Sequence, residues 1–335
     1  MTTDLAFPVL IADIGGTNAR FAVIAAPGEP YRLLAEVETR TRPSLAAAIE
    51  ADVLPVTTLR PAGFVFAVAG PVRGDRIVLT NCPWDVVPPA LVARFGLAGM
   101  TLFNDFEALS LALPSLGAGD LLPLGAGLPP ERGAKVVVGP GTGLGAAGLL
   151  DVAGRWVPVG GEGGHVTLAP ETERELAIWS HIERPAARVS AETLISGAGL
   201  LRLYRALAMA DGVAPAWDHP ESVTRAAKAG EPRAQEAVAL FTTWLGRVAG
   251  DLALVFLARG GVYIGGGIPA KLAPLMPAAA FRAAFETKPP HEALLASIAT
   301  AVITHPHAAL VGLAAFAAAP GRFLLDLDHR HWTAG

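Results

Sequence analysis

The chain contains a single cysteine, Cys82, among 335 residues. That excludes an internal disulfide and any cysteine-clustered metal site, and it fits a reducing compartment. Positive charge is not in excess either: 26 Lys and Arg stand against 30 Asp and Glu, a net charge of −4. Binding along a nucleic-acid backbone would need a basic face, which this balance does not provide. Charged residues amount to only 17% and apolar ones reach 52%, a composition that belongs to folded domains and not to a disordered chain. Long uninterrupted apolar runs are also missing, although the mean hydropathy is +0.44. The longest stretch free of Asp, Glu, Lys and Arg, Ala293 to Gly321, is alanine-rich and carries His305, Pro306 and His307 at its middle. It does not read as a membrane span. The residues before the first apolar run include Asp4 and no basic residue, unlike a secretory signal. These absences predict a cytoplasmic protein that engages neither nucleic acid nor membrane.

What the chain has in quantity is glycine and proline, 37 and 28 residues, with no collagen-like period. They punctuate turns between many short elements. Val9 to Ile14, Phe21 to Ile24 and Arg32 to Val37 read as a strand meander, followed by a helical pattern over Ser44 to Leu54. Phe64 to Ala69, Ile77 to Leu79 and Thr101 to Phe103 read as strands, and Asp105 to Leu113 as a helix. A second round starts with Lys135 to Val138 and a hairpin through Asp151 to Gly154. Helices over Glu173 to Glu183, Leu200 to Met209 and Pro232 to Leu257 follow, then a late strand at Val262 to Ile264. Meander first and helices later, in two rounds, predicts an α/β protein of two related halves and raises an internal duplication. Asp326 to Trp332 reads as a tail, and His305-Pro306-His307 as a proline-broken strand end.

Three glycine clusters stand out. Gly15-Gly16-Thr17-Asn18 lies between strands, where backbone N–H groups converge on an anion and glycine permits positive φ and close approach. Asp13 just before it suits magnesium held through water. An ordinary hairpin turn would read the same way. The second block, Gly139 to Gly145, raises the odds of phosphate binding. Its G-x-G-x-x-G at Gly143, Gly145 and Gly148 would call for a helix at the third glycine, but only about five residues remain before the Gly154 turn, so a dinucleotide fold is disfavoured. Gly265-Gly266-Gly267, after a strand, would let the backbone lie against a flat adenine, although such a cluster alone is commonly a strand-end turn.

The polar candidates are few. Asn104-Asp105 stands at a strand end and a helix start, where either residue could be an N-cap. Opposite phosphate loops, Asn104 can donate to and accept from vicinal hydroxyls, and Asp105 can take a hydroxyl proton as the oxygen attacks phosphorus. Gly161-Glu162-Gly163-Gly164-His165 sets two polar side chains on bare backbone, as a grip on a polyol or as a solvated turn. Ser190-Ala191-Glu192 looks equally like a helix start.

The blocks LIADIGGTNARFAV, LTNCPWDV, FNDFEALSLALP, VVGPGTGLGAA, VPVGGEGGHVTLAP, VSAETLISGAGLLRLYRAL and GGVYIGGGIPAKL run in this order from residue 10 to about 271. In them the chain resembles the proteobacterial type of bacterial glucokinase, in the sugar-kinase branch of the actin-like ATPase superfamily. The resemblance implies an α/β, two-domain actin-like ATPase (ribonuclease H-like) fold with a cleft. A small α/β domain would take 1–115 plus about 305–335, and a larger α+β domain about 116–304. It implies glucose binding by Asn104, Asp105, Glu162, His165 and Glu192, with Asp105 as catalytic base. Asp13, Ile14, Gly15, Gly16, Thr17 and Asn18, with Gly141, Thr142 and Gly143, would hold ATP phosphates, and Gly265, Gly266 and Gly267 the adenosine. Magnesium, tied to Asp13, and a homodimer come with the family.

The implied reaction is ATP-dependent phosphorylation of glucose at the 6-hydroxyl. Phosphorylation of another hexose or amino sugar, or a non-catalytic sugar sensor on the same fold, are the alternatives. The sensor would need a partner-binding or DNA-binding segment, yet the meander already begins by Val9. Gly160 replaces a frequent proline and Cys82 a frequent histidine of the family pattern. The cysteine-rich zinc motif of the related ROK sugar kinases and repressors is absent, so no structural zinc is expected.

Overall fold

The computed structural model describes residues 5–125 and 127–334; Asp4 and Gly335, which entered the reading of the two termini, lie outside them. In chain order the strands are β1 (Val9–Ile14), β2 (Asn18–Ile24), β3 (Arg32–Glu38), β4 (Gly63–Val68), β5 (Ile77–Val78), β6 (Asp85–Val86), β7 (Gly99–Asn104), β8 (Leu121–Pro123), β9 (Lys135–Pro140), β10 (Leu144–Val152), β11 (Arg155–Gly161), β12 (Val262–Ile264), β13 (Thr300–Ile303) and β14 (His331–Thr333). The helices are α1 (Leu45–Ala48), α2 (Pro88–Phe95), α3 (Asp105–Ala112), α4 (Glu173–Trp179), α5 (Ala191–Leu194), α6 (Gly197–Ala210), α7 (Pro220–Lys228), α8 (Pro232–Phe256), α9 (Gly267–Leu272), α10 (Ala278–Glu286), α11 (Glu292–Ser297) and α12 (Ala308–Ala318).

The chain divides into two compact units, one of Met1–Leu116, Leu149–Gly160 and Pro306–Gly335, the other of Gly117–Gly148 and Gly161–His305. The sequence reading left Leu149–Gly160 with the second part of the chain. It groups with the first because Trp156 bridges to Phe323 and its carbonyl accepts from Leu324 N at 2.8 Å.

The first unit is built on a six-stranded sheet of order β14-β7-β4-β1-β2-β3. β1 and β4 are apolar nearly throughout because a parallel strand covered on both faces has no side to give to water. β1, β4 and β7 run parallel and in register, with Ile14 beside Val68 and Val68 beside Asn104. Their carboxyl ends therefore form one line, the edge where open α/β sheets bind ligands. β14 closes the other side of β7 antiparallel, pairing His331 with Thr101. The end of the segment expected to be a tail, His331 and Trp332, thus lies in the edge strand of the sheet. Thr101 Oγ1 lies 2.9 Å from His331 Nδ1, and Trp332 Nε1 donates to Asp75 at 2.7 Å.

The other sheet is ordered β11-β10-β9-β12-β13-β8, and its strands β9, β12, β13 and β8 belong to the second unit. β9, β12 and β13 are parallel, and β8 closes the edge antiparallel to β13. Read from the meander side, both sheets place a hairpin, then two further parallel strands, then an antiparallel edge. The two rounds legible in the sequence are therefore one strand order used twice. In both, the first hairpin turn is glycine-rich: Gly15 to Thr17 between β1 and β2, Gly141 to Gly143 between β9 and β10. Gly143 and Gly145 flank or enter β10, so the G-x-G-x-x-G spells a strand and not a helix start.

α8 is the one helix among the described residues long and apolar enough to cross a membrane. It is the central core helix of its unit, 67% buried over its most apolar window, with α6, α7 and α10 packed on it. Arg247 in its interior pairs with the buried Glu175 at 2.9 Å. The helix expected over Ser44 to Leu54 starts as α1, capped by Ser44, and then widens into a π-turn over Ile49–Val53.

Candidate active site

In the first unit the carboxyl edge of the parallel strands gathers Asp13, the Gly15 to Thr17 turn, Asn104 and Asp105. Asp13 sits two strands from Phe103 in register, about 10 Å of sheet at the usual strand spacing. Asn104 is the N-cap of α3, its Oδ1 accepting from Phe106 N at 3.0 Å and Glu107 N at 3.3 Å. Its Nδ2 donates to Gly70 O at 3.2 Å. Cap and candidate ligand are thus the same residue, and the cap takes the oxygen. The cap thus holds the oxygen that would accept from a sugar hydroxyl, while a second amide N–H remains to donate.

Asp105 opens α3, with Oδ1 accepting from Phe106 N at 2.9 Å. Burial raises its carboxyl to about 6, and the nearby charge of Asp13 pushes the same way against the hydrogen bonds that lower it. Asp13 is itself raised, by burial first, with Arg20 opposing. Arg20 faces it across the β1–β2 pair at 3.8 Å and binds Glu36 at 2.7 Å. Sequence reading missed Arg20; its place in register opposite Asp13 is visible only once the hairpin is formed. A buried carboxylate at this edge whose charge is also felt by Asp105, and only partly offset by Arg20, fits a hard cation held through water, so the donor chemistry suits magnesium at Asp13.

The first glycine turn works by close approach. Gly15 and Gly16 are not among the glycines at positive φ, contrary to the sequence reading, and Gly15 N donates to Asn18 O at 3.0 Å. A Cβ on Gly16 would stand 3.1 Å from the carbonyls of Thr80 and Asn81. Thr39 pins the turn from β3's end, its hydroxyl donating to Gly16 O at 2.8 Å. Thr39 carries no motif that would reveal it.

The second unit assembles the other candidates around the β9–β10 turn. Glu192 lies in the first turn of α5, behind the Ser190–Thr193 capping box. Its Oε2 accepts from Leu144 N at 3.0 Å. Gly197 N, at the start of α6, donates to Gly141 O at 3.0 Å. Gly266, at φ +88°, lies against the Pro140 carbonyl, so the third glycine cluster and the start of α9 meet the same turn. Glu162 and His165 share the turn after β11, exposed and 3.9 Å apart. Among the described residues no cluster of three or more His, Cys, Asp and Glu could hold a metal.

A duplicated sheet with glycine-turned hairpins, and an acid at the end of the third parallel strand, defines a sugar-kinase type of actin-like ATPase fold. The glucokinase family model matches residues 10–320. Relatives include the glucokinase of Agrobacterium fabrum, 47% identical and covering 99% of this chain and 98% of that one. That of Mesorhizobium japonicum is also 47% identical, over 99% and 98% of the two chains. The chain belongs to the glucokinase family. Among solved structures, a glucokinase from an Antarctic psychrotroph superposes with a TM-score of 0.81 at 32% identity, over 92% of this chain and 98% of that one. A ROK family glucokinase from Streptomyces griseus, solved with glucose and AMPPNP, shares the fold with a TM-score of 0.61 at 23% identity, over 92% and 98%.

Proposed function

We propose that the chain transfers the γ-phosphoryl group of ATP to the 6-hydroxyl of glucose. The observation that carries this is Asp105: a carboxylate fixed by a helix cap at the ligand-binding edge of the sheet, raised to about 6 and so suited to taking a proton near neutrality. The 6-hydroxyl oxygen bonds to the γ-phosphorus as the bond to the β,γ-bridging oxygen breaks. The hydroxyl proton passes to Asp105 and ADP leaves. Asn104 would orient the hydroxyls through its free amide N–H, with Glu162, His165 and Glu192 gripping the sugar. The Gly15 to Thr17 and Gly141 to Gly143 turns would cradle phosphates, and Gly265 to Gly267 the adenosine.

Magnesium, when bound, would neutralise phosphate charge, with Asp13 holding it through water. The family relationship and the AMPPNP-bound relative of the same fold support ATP as the donor. We take the two units as the small and large domains of the kinase. A homodimer and a cytoplasmic setting complete the reading, on the strength of the family resemblance. Phosphoryl transfer measured across a panel of hexoses and donors tests it. Glucose 6-phosphate formed from ATP is the expected product; ATP hydrolysis with no sugar phosphate would remove the reading.

A further inference from the structure

Leu144 occupies an unusual position in the second unit. It is the first residue of β10, directly after the turn assigned to the phosphates. Its N–H donates to Glu192 Oε2 at 3.0 Å, and Glu192 is assigned to the sugar. The neighbouring Gly143 cannot carry a side chain with Glu192 in this position, because a Cβ there would overlap its Oε2 and push the carboxylate away. On its other side the Leu144 carbonyl is met by Gly164, where a Cβ would overlap that oxygen. Gly164 belongs to the Glu162–His165 turn, the other half of the sugar grip. The far end of the phosphate turn is pinned separately, by Gly197 N on Gly141 O. Both segments assigned to the sugar in this unit therefore bear on one residue at the end of the phosphate turn, one on its N–H and one on its carbonyl, and none of these contacts involves Asp105.

We propose that Leu144 is the joint through which sugar occupancy sets the phosphate turn, so that glucose and nucleotide tighten each other's binding within this unit. The inference rests on the reading of the two sites given above. A carboxylate has acceptor capacity on both oxygens, so Glu192 can keep Leu144 N on Oε2 while Oε1 takes a sugar hydroxyl. A bound sugar immobilises the half-buried Glu192 side chain, and the Leu144 N–H bond passes that order to the Gly141 to Gly143 turn. A nucleotide then meets a turn already ordered, and the coupling is reciprocal. Gly143 is kept bare so that the glutamate can reach the peptide.

The test is calorimetric titration of the full chain with magnesium AMPPNP, with and without saturating glucose. Glucose is expected to tighten nucleotide binding roughly tenfold, within the usual range of such couplings. Gly143→Ala, which displaces the carboxylate, should bring the ratio within about twofold of one while a folded protein still binds AMPPNP. Glu192→Gln keeps an oxygen for Leu144 N and should retain coupling to whatever glucose still binds, whereas Glu192→Ala should lose it. That pair decides the matter if Gly143→Ala does not fold. A wild-type protein that phosphorylates glucose but shows a ratio of one, or a folded Gly143→Ala variant with the wild-type ratio, overturns the inference and leaves the proposed activity standing. A wild-type protein that phosphorylates no sugar removes the activity itself, and the coupling with it.

Discussion

Asp105→Asn should make the protein slower and more stable at once. Asp105 titrates at about 6 against an ordinary 3.8, because burial and the Asp13 charge disfavour its ionised form. At 1.36 kcal/mol per pH unit, holding that charge in the folded state at neutral pH costs roughly 3 kcal/mol. Asparagine removes the charge and keeps an oxygen for Phe106 N, but its amide must also leave water, so a net gain of about 2 kcal/mol is expected. In units of this size that raises the melting temperature by roughly 4–8 °C. The sign of the pH dependence is fixed by the raised value. Between about 4 and 6 the folded wild type binds more protons than the unfolded chain, so its stability falls as pH rises through that window. The advantage of the asparagine variant should therefore be full above pH 6, roughly a third as large at pH 5, and slightly reversed below 4. Thermal unfolding of both proteins from pH 4.5 to 8 measures it, beside a coupled assay of ADP release in which turnover drops by about 10²–10⁴. A variant no more stable than wild type, a gain that ignores pH, or turnover left intact would each refute the assignment of Asp105 as a buried, poised base.

Wild-type kcat/KM should fall tenfold per unit of pH below about 6, and Asp13→Asn, by removing a charge that raises Asp105, should move that limb to lower pH; a limb that stays in place separates the two carboxylates. Gly312→Val would drive a side chain into the Ala108 carbonyl of α3, the helix that begins with Asp105, so kcat should drop at least tenfold with the melting temperature reduced, while a silent substitution would show that α12 does not support the base. Arg247→Met leaves the buried Glu175 without its bidentate partner and should cost about 3–5 kcal/mol in denaturant unfolding, partly restored by adding Glu175→Gln. Removing residues 324–334 takes away β14 and the Arg330 partner of buried Glu107, and should abolish activity with Asp105 itself untouched, as assayed by sugar phosphate formation.

The strands that carry the site are legible because burial on both faces writes them as short, mostly apolar runs, Val9 to Ile14, Lys135 to Val138 and Val262 to Ile264, with Asp13 and Lys135 their only charged residues. The glycine turns are legible as composition, and their equivalence in the two halves follows from strand order. What hides is whatever depends on pairing far along the chain. His331 to Thr333 has no strand pattern strong enough to announce itself, and it becomes a strand only by adding to β7, some 230 residues earlier. α12 is an alanine-rich helix buried nearly all round, so it carries no amphipathic period to read. Roles hide in the same way. That Asn104 serves as cap and candidate ligand, that Glu192 leans on the phosphate turn, and that Arg20 stands opposite Asp13 are facts of register and approach, to which residue type alone is blind.

The first unit is assembled from three separated stretches, and the supports of α3, the helix that begins with Asp105, come from the last. α12 lies on α3 where Gly312 meets Ala108, and Arg330 neutralises Glu107 on the same helix. The second unit, apart from the Leu149–Gly160 segment, is encoded between them. During synthesis the ribosome therefore delivers Asp105 about two hundred residues ahead of the elements that steady it. A nascent chain can complete its second core while the helix bearing the base still waits for partners. The contacts that hold the Asp105 helix arrive only with the stretch from Pro306 onward, so a chain stalled or clipped before it carries Asp105 without the packing and ion pair that steady its helix.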